Sequence, residues 1–190
     1  MNKQKLVRFI LITVPPLEVA VELEAIREEL NRLAGSCAAL NYPPHVTLRT
    51  GFLVPEEEIP NFLNEFRPYF NREKAFHIRT DGIYCGLYEQ DNGPQYIVCY
   101  RIKKDETILR FNKKLLSYRK YRKSDRTLFN PHLTIAYEDL SFEGFERLLH
   151  VIENRPELRK RQFSWKCDNA GLYLKNCDRW EPYRIFYLSE

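Results

Sequence analysis

Two short segments of the 190-residue sequence repeat one pattern of residue types. "PHVTL" begins at Pro44 and "PHLTI" begins at Pro131, so each gives Pro, His, an apolar residue, Thr and a second apolar residue. The histidines, His45 and His132, lie 87 positions apart. Imidazole titrates near pH 6.5, so two histidines in one site can supply a neutral base and a protonated acid. The repeated pattern therefore predicts acid–base catalysis by this pair.

The threonines of the two motifs suit a phosphate group as the substrate. Alternate side chains of a strand share a face, so Thr47 lies on the side of His45, and Thr134 on the side of His132. Displacement at phosphorus needs a base and an acid on opposite sides of the phosphate. Hydroxyl groups beside them can donate to its nonbridging oxygens. We therefore predict a catalytic pair, His45 and His132, and a phosphate-binding pair, Thr47 and Thr134.

Further residues are candidates for binding the rest of the substrate. Arg49 follows the first motif on the same predicted face, and Tyr42 precedes the motif where its ring could stack on a base. Residues 113–126 contain seven basic side chains and one acidic one, which is typical of an RNA-binding segment but also of a solvated helix face. Its candidate substrate-binding residues are Tyr118, Arg119, Tyr121, Arg122 and Arg126.

A metal site is a competing interpretation of the two motif histidines. Catalytic zinc usually has three protein ligands and structural zinc has four. The remaining histidines, His77 and His150, lie far from the motifs in sequence, and no H-E-x-x-H pattern is present. We therefore expect neither a metal nor another cofactor.

The elements around the motifs also repeat. Apolar periodicity and turn residues predict a strand at 6–14, a helix at 17–33, a strand at 45–53, a helix at 55–70 and a hairpin at 74–103. A helix at 105–121, a strand at 132–138, a helix at 141–153 and further strands at 162–175 and 183–188 follow in the same order. The order predicts an α+β protein, a single domain over residues 1–190 with duplicated halves of roughly 16–103 and 104–190. Each of its two pseudo-symmetric lobes should have a mixed or antiparallel sheet with helices on its outer face, and an active-site cleft should lie between the lobes.

Composition limits the remaining possibilities. The 30 Lys and Arg against 26 Asp and Glu give a formal charge of +4, which is compatible with an anionic ligand but does not establish nucleic-acid binding. Five cysteines without a C-x-x-C pair favour a reducing compartment, so we expect a cytoplasmic protein. Arg8 and two prolines interrupt the apolar N-terminal segment, so we expect neither a signal peptide nor a membrane span. We also expect a monomer.

At "HVTL" and "HLTI" the chain resembles the two-histidine (2H) phosphoesterase superfamily, whose signature is two H-Φ-T/S-Φ motifs, where Φ is apolar. The resemblance implies a bilobal fold and a metal-independent phosphodiesterase acting on 2′,3′-cyclic or 2′-5′ phosphodiester bonds of RNA or nucleotides. It implies the same roles for His45, His132, Thr47 and Thr134. Two alternatives stay open, a noncatalytic RNA-binding module and a 2′-5′ RNA ligase that runs the reverse reaction. The expected partner is RNA or a small cyclic nucleotide.

Overall fold

A computed structural model of the chain describes residues 5–88, 93–121, 129–177 and 179–190. The strands within these ranges are β1 Leu6–Thr13, β2 Val46–Pro55, β3 Phe76–Tyr88, β4 Gln95–Ile102, β5 His132–Ala136, β6 Ser164–Cys167, β7 Asn169–Asn176 and β8 Arg179–Tyr187. The α-helices are α1 Leu17–Ala34, α2 Ile59–Phe66, α3 Glu106–Ser117, α4 Phe142–Asn154 and α5 Pro156–Lys160. This mixture of helices with an antiparallel sheet confirms the predicted α+β class.

The eight strands form one sheet in the order β6-β3-β4-β5-β2-β1-β7-β8. The paired strands in it are all antiparallel. The two strands that carry the histidine motifs, β2 and β5, are therefore direct neighbours at the centre of the sheet. They share one registered residue pair, and beyond it β2 continues beside β1 while β5 continues beside β4.

The helices pack on the motif strands in a reciprocal way. Helix α1 connects β1 to β2, yet it packs against β5 and α4. Helix α3 precedes β5 in the chain, yet it packs against β2 and β3. The Asp105 carboxylate caps the start of α3 by accepting from the backbone N–H groups of Thr107 and Ile108. Each motif strand is thus supported by the helix that leads into the other motif strand.

Strand β2 is bent by bulges and anchored by aromatic packing. Its pairing with β1 shifts register twice between Thr47 and Phe52, and Gly51 in this stretch has a positive φ of 58°. Bulges of this kind redirect side chains and are common beside active sites. Past the bulges, the buried Phe52 ring packs against Phe62 and Phe66 of α2, at 5.1 Å between centroids in both pairs. Burial of each such ring stabilises the fold by about 1.5–3 kcal/mol, which fixes the far end of β2.

Candidate active site

The central pair of strands brings the two histidine motifs together. Val46 of β2 is paired with Leu133 of β5, and both side chains are buried in the core. Because side chains alternate along a strand, the flanking His and Thr residues of each motif project to the other side of the sheet. There they line one cavity of about 370 Å³, whose walls include His45, Thr47, His132 and Thr134. The structure therefore places all four predicted residues in one site.

The antiparallel direction of the two strands arranges the four side chains crosswise. Since Val46 lies opposite Leu133, continuing the register by one residue sets His45 across from Thr134 and Thr47 across from His132. Each strand thus contributes one imidazole and one hydroxyl to the cavity, in opposite order along the two strands. A group held between the strands would be contacted from two sides.

Both imidazoles are held by the same local hydrogen bond. Nδ1 of His45 lies 2.9 Å from the carbonyl oxygen of Pro43, and Nδ1 of His132 lies 2.8 Å from that of Asn130. A carbonyl oxygen only accepts, so each Nδ1 carries a proton and each Nε2 is left for the substrate. The accepting residue precedes a proline in both motifs, which restricts it to an extended conformation. The shared Pro-His dipeptide therefore helps to fix both rings.

Both imidazoles favour the neutral form in the free protein. Burial lowers the pKa of His45 to about 4; Arg27 and His132 lower it further, while the Pro43 carbonyl opposes the change. Burial also lowers the pKa of His132, against the effect of the Asn130 carbonyl. With Nδ1 protonated, a neutral ring presents a basic Nε2 to the cavity. An anion bound between the rings would raise both pKa values and allow one ring to hold a second proton.

Tyrosine rings cover the two histidines and contribute to this burial. Tyr42 meets His45 edge-on, with 6.0 Å between ring centroids and 86° between planes. Tyr88 meets His132 in the same manner at 5.4 Å. Both tyrosines line the cavity. Burial raises the pKa of Tyr42, and the neighbouring carboxylate of Glu138 raises it further.

Two asparagines support the motif strands at equivalent positions. Asn112 of α3 donates to the carbonyl oxygen of Leu48, the fourth residue of the first motif, at 2.8 Å. Asn31 of α1 donates to the carbonyl oxygen of Ile135, the fourth residue of the second motif, at 2.7 Å. Both asparagine side chains are buried. They bond β2 and β5 where the two strands diverge from each other, and so hold open the gap that forms the cavity.

The loop before the first motif is fixed by charged side chains. The buried Arg27 guanidinium pairs with Glu24 and donates to the carbonyl oxygens of Ala39 and Tyr42. Asp139, just beyond β5, accepts from the Ser36 hydroxyl and from two backbone N–H groups of the same loop. The approach to His45 is therefore tied both to α1 and to the strand that carries His132.

Arg49 lines the cavity as predicted, but its guanidinium has structural contacts. It donates to the carbonyl oxygens of Leu115 and Tyr118 at the end of α3, the second at 2.6 Å, and lies 4.4 Å from the centroid of the Phe52 ring. The bulge after Thr47 accounts for this direction, since it breaks the simple alternation on which the prediction rested. Through these hydrogen bonds Arg49 caps the last turn of α3.

The described candidates of the basic segment, Tyr118, Arg119 and Tyr121, are not among the wall residues of the cavity. The Tyr118 ring is buried among Phe52, Phe62 and Phe66, and its hydroxyl donates to Glu65 at 2.9 Å, so the expected stacking of this ring on a base is wrong. The hydroxyl of Tyr121 donates to Glu58 at 2.9 Å. Arg119 is exposed and is not a wall residue. The remaining candidates, Arg122 and Arg126, lie outside the described residues.

Sequence reasoning missed several cavity residues that come from distant parts of the chain. Tyr88 stands at the end of β3, Tyr173 in β7 and Trp180 in β8, and no motif marks them. Arg8 did leave a signal, because it interrupts an otherwise apolar strand and shares a face with Ile10 and Ile12, which also line the cavity. A polar residue at an alternating position of an apolar strand is a sign of a lined cavity.

Among the described residues, no group of three or more His, Cys, Asp or Glu side chains is placed to hold a metal ion. None of the described helices combines the length and apolar character needed to cross a bilayer.

Comparisons with known proteins agree with this fold. The model of the family described as the 2′-5′ RNA ligase superfamily matches residues 15–178. A Bacillus cytotoxicus protein named as a candidate phosphoesterase is 26% identical over 150 residues, which cover 78% of this chain and 80% of that protein. TT0787 of Thermus thermophilus has a TM-score of 0.62 at 18% identity, covering 95% of this chain and 97% of its own. Apo LigT of E. coli has a TM-score of 0.58 at 14% identity, covering 98% and 99%. These two structures share the fold.

Proposed function

Because the chain belongs to the 2′-5′ RNA ligase superfamily, we propose that it is a metal-independent phosphodiesterase that cleaves 2′,3′-cyclic or 2′-5′ phosphodiester bonds of RNA or nucleotides. The membership confirms the resemblance to 2H phosphoesterases that the two motifs indicate. The observation that carries the proposal is the convergence of His45, Thr47, His132 and Thr134 in one cavity.

The proposed reaction is a proton transfer on each side of a phosphorus centre. One imidazole takes a proton from water through its free Nε2, and the water oxygen forms a new bond to phosphorus. The bond from phosphorus to the ribose oxygen breaks, and the other imidazole donates its Nε2 proton to that oxygen. The hydrogen bonds from Nδ1 to the Pro43 and Asn130 carbonyls support this scheme, since they direct both Nε2 atoms to the cavity.

The threonines act on the charge of the phosphate. Thr47 and Thr134 donate their hydroxyl protons to the nonbridging oxygens, which carry more negative charge in the transition state. The crosswise register supports this role, because it gives the phosphate a hydroxyl from each strand. The bound anion also raises the pKa of the neighbouring imidazoles, and so supplies the protonated acid that the free protein lacks at neutral pH.

The proposed substrate is a nucleotide with ribose on at least one side of the scissile bond. LigT, whose fold this chain shares, has been crystallised with 3′-AMP and with phosphate. Attack by a ribose hydroxyl in place of water would give transesterification, and the reverse direction would join RNA ends, since the same groups serve each reaction. In this proposal Tyr42 and Tyr88, whose rings contact the histidines, would contact the ribose or the base.

The proposal includes a division of the sheet into two lobes, with the cavity at their junction. Strands β1, β2, β7 and β8 would form one lobe and β3 to β6 the other, as their order in the sheet allows. The duplicated halves of 16–103 and 104–190 remain a prediction. The repeated strand–helix–strand order before each motif strand, β1-α1-β2 and β4-α3-β5, supports a duplication.

The test is an assay on a short RNA that ends in a 2′,3′-cyclic phosphate, with EDTA present. We expect opening to a single phosphate isomer and a loss of kcat of about 10²–10⁴ in His45→Ala and in His132→Ala. A 2′-5′ linked dinucleotide in parallel separates the two bond types. The matched control is His77→Ala, because His77 is exposed on β3 and does not line the cavity.

The outcomes distinguish the proposal from its alternatives. RNA binding without turnover of either substrate would favour a noncatalytic binding module. A joined product from 2′,3′-cyclic and 5′-hydroxyl ends would favour ligation. Activity that EDTA abolishes, or that survives both histidine substitutions, would overturn the mechanism.

A further inference from the structure

We propose that Arg8 and Trp180 form a second anion subsite in the catalytic cavity, which binds a phosphate group other than the one that reacts. The proposal rests on the proposed function, and it narrows the substrate class. A nucleoside cyclic phosphate has one phosphate, whereas an RNA end has a further phosphodiester on its 5′ side. The subsite therefore selects RNA ends of at least two nucleotides over single cyclic nucleotides.

The position of Arg8 follows from the pairing of β1 with β2. Ile12 of β1 lies opposite Thr47, and Arg8 lies four residues earlier, opposite Leu53. Arg8, Ile10 and Ile12 all line the cavity with the histidines. Four residues of a strand span about 13 Å, and the long arginine side chain can shorten that distance. We therefore assign the guanidinium to a phosphate next to the reacting one rather than to the reacting phosphate itself.

The contacts of Arg8 leave its hydrogen-bond donors for a ligand. Its guanidinium carbon lies 5.6 Å from the centroid of the Trp180 ring, a cation–π contact that holds the group but uses none of its N–H donors. Its Nε is buried without a partner, and among the described residues the side chain has no hydrogen bond or ion pair. A buried donor without a partner is costly in a finished fold, and a bound anion would satisfy it.

The other arginines near the cavity differ from Arg8 in this respect. Arg27 is paired with Glu24 and donates to two carbonyl oxygens, and Arg49 donates to two carbonyl oxygens at the end of α3. The carboxylate in the cavity wall, Glu138, acts on the hydroxyl of Tyr42 beside His45. Among the described wall residues, no carboxylate therefore lies at the end of the cavity where Arg8 carries its positive charge. A planar guanidinium stacked on an indole presents a fork of N–H groups that matches phosphate oxygens.

The experiment compares Arg8→Gln with the unmodified protein on two substrates that share one reactive end. The first is adenosine 2′,3′-cyclic phosphate, and the second is the adenylyl-(3′-5′)-adenosine dinucleotide with the same cyclic end. We expect Arg8→Gln to lower kcat/KM for the dinucleotide by about 10- to 100-fold, the range for charge-assisted hydrogen bonds. The mononucleotide should change by less than about twofold, because it has no second phosphate for the charge-assisted contact. Arg8→Lys, which keeps the charge without the fork, should fall between.

Three controls test whether the loss on the dinucleotide is specific to Arg8. Arg184→Gln removes an exposed arginine of β8 that does not line the cavity, and it should leave both substrates unaffected. Trp180→Leu should weaken the dinucleotide preference in part, by freeing the Arg8 side chain. Unchanged thermal unfolding of each variant would show that the fold is intact.

Two outcomes of the kinetic comparison would overturn the proposal. An equal loss on both substrates would assign Arg8 to the fold or to the reacting phosphate, and no loss on either would remove it from binding altogether. If the unmodified protein turned over neither substrate, the proposed function would fail, and binding would still decide the subsite. Calorimetric titration would then have to show that Arg8→Gln weakens the dinucleotide 3′-phosphate at least about tenfold more than 3′-AMP; equal weakening would refute the subsite.

Discussion

The reciprocal asparagines allow a test of how the motif strands are held. In Asn31→Asp the side chain keeps its shape, but the amide nitrogen, which donates to the carbonyl oxygens of Ile135 and Arg27 at 2.7 Å each, is replaced by an oxygen. Asn31 is fully buried, so the introduced carboxyl cannot turn to water. It can keep a hydrogen bond to Ile135 only by holding a proton. Burial and the facing carbonyl should both raise its pKa above that of the unfolded chain, about 3.9.

The sign and size of the effect follow from this pKa difference. A carboxyl whose pKa is higher in the folded state is tolerated when both states are protonated, and it destabilises the fold as pH rises above the unfolded pKa. The loss grows by about 1.4 kcal/mol per pH unit until the folded pKa is reached. Between pH 5 and pH 7 the difference in unfolding free energy between Asn31→Asp and the unmodified protein should therefore widen by up to about 2.7 kcal/mol.

Asn112→Asp provides the matched comparison. Its donor faces the Leu48 carbonyl oxygen at 2.8 Å, but Asn112 also lines the cavity, where water can solvate a carboxylate. Its folded pKa should rise less, so its loss should level off at lower pH than that of Asn31→Asp. Urea unfolding at pH 5, 6 and 7 measures both variants, with a shifted midpoint and an unchanged m-value. A pH-independent difference for Asn31→Asp, or one below about 1 kcal/mol at pH 7, would refute the assignment of Asn31 as a buried donor.

Three further predictions concern Arg49 and the histidines. Arg49→Lys loses the fork in which two separate nitrogens reach the Leu115 and Tyr118 carbonyl oxygens, so we expect urea unfolding to show a loss of about 2 kcal/mol with KM unchanged; a raised KM at full stability would instead support the predicted contact with substrate. The pKa of His45 is about 4 in the folded protein, below its ordinary value, so as pH falls this imidazole is protonated in the unfolded chain before it is protonated in the folded one. The free energy of unfolding should therefore decrease from pH 6.5 towards pH 4. The decrease should be smaller in His45→Gln, and an identical pH dependence of the melting temperature would contradict it. Binding of sulfate, which unlike inorganic phosphate keeps a fixed charge near neutral pH, should take up protons at pH 6.5, because an anion between the rings raises the imidazole pKa values that burial lowers in the free protein; calorimetry in two buffers of different ionisation enthalpy measures the uptake, and a value of zero would argue against an anion between the histidines.

The parts of this molecule that could be predicted from sequence are those fixed by local pattern. Alternation placed His45 and Thr47 on the opposite face from the buried Val46, and the structure agrees. Arg49 shows the limit of the same rule, because the bulges in β2 depend on the pairing with β1, which no local pattern records. Tyr118 shows a second limit, since a ring beside basic residues in sequence packs into the core through the fold of α2 and α3.

The roles of two residues could not be predicted, because each residue bonds the motif strand of the other half of the chain. Asn31 precedes the first motif by 14 positions, but it bonds the second motif, and Asn112 precedes the second motif but bonds the first. These crossed hydrogen bonds follow from the packing of α1 on β5 and of α3 on β2. Each motif strand is therefore bonded by the helix that leads into the other one, and displacement of either helix would remove a donor from the opposite motif strand. The two halves are linked in this way because β2 and β5 diverge, and the carbonyl oxygens left unpaired there need hydrogen-bond donors. The helix within reach of each strand belongs to the other half.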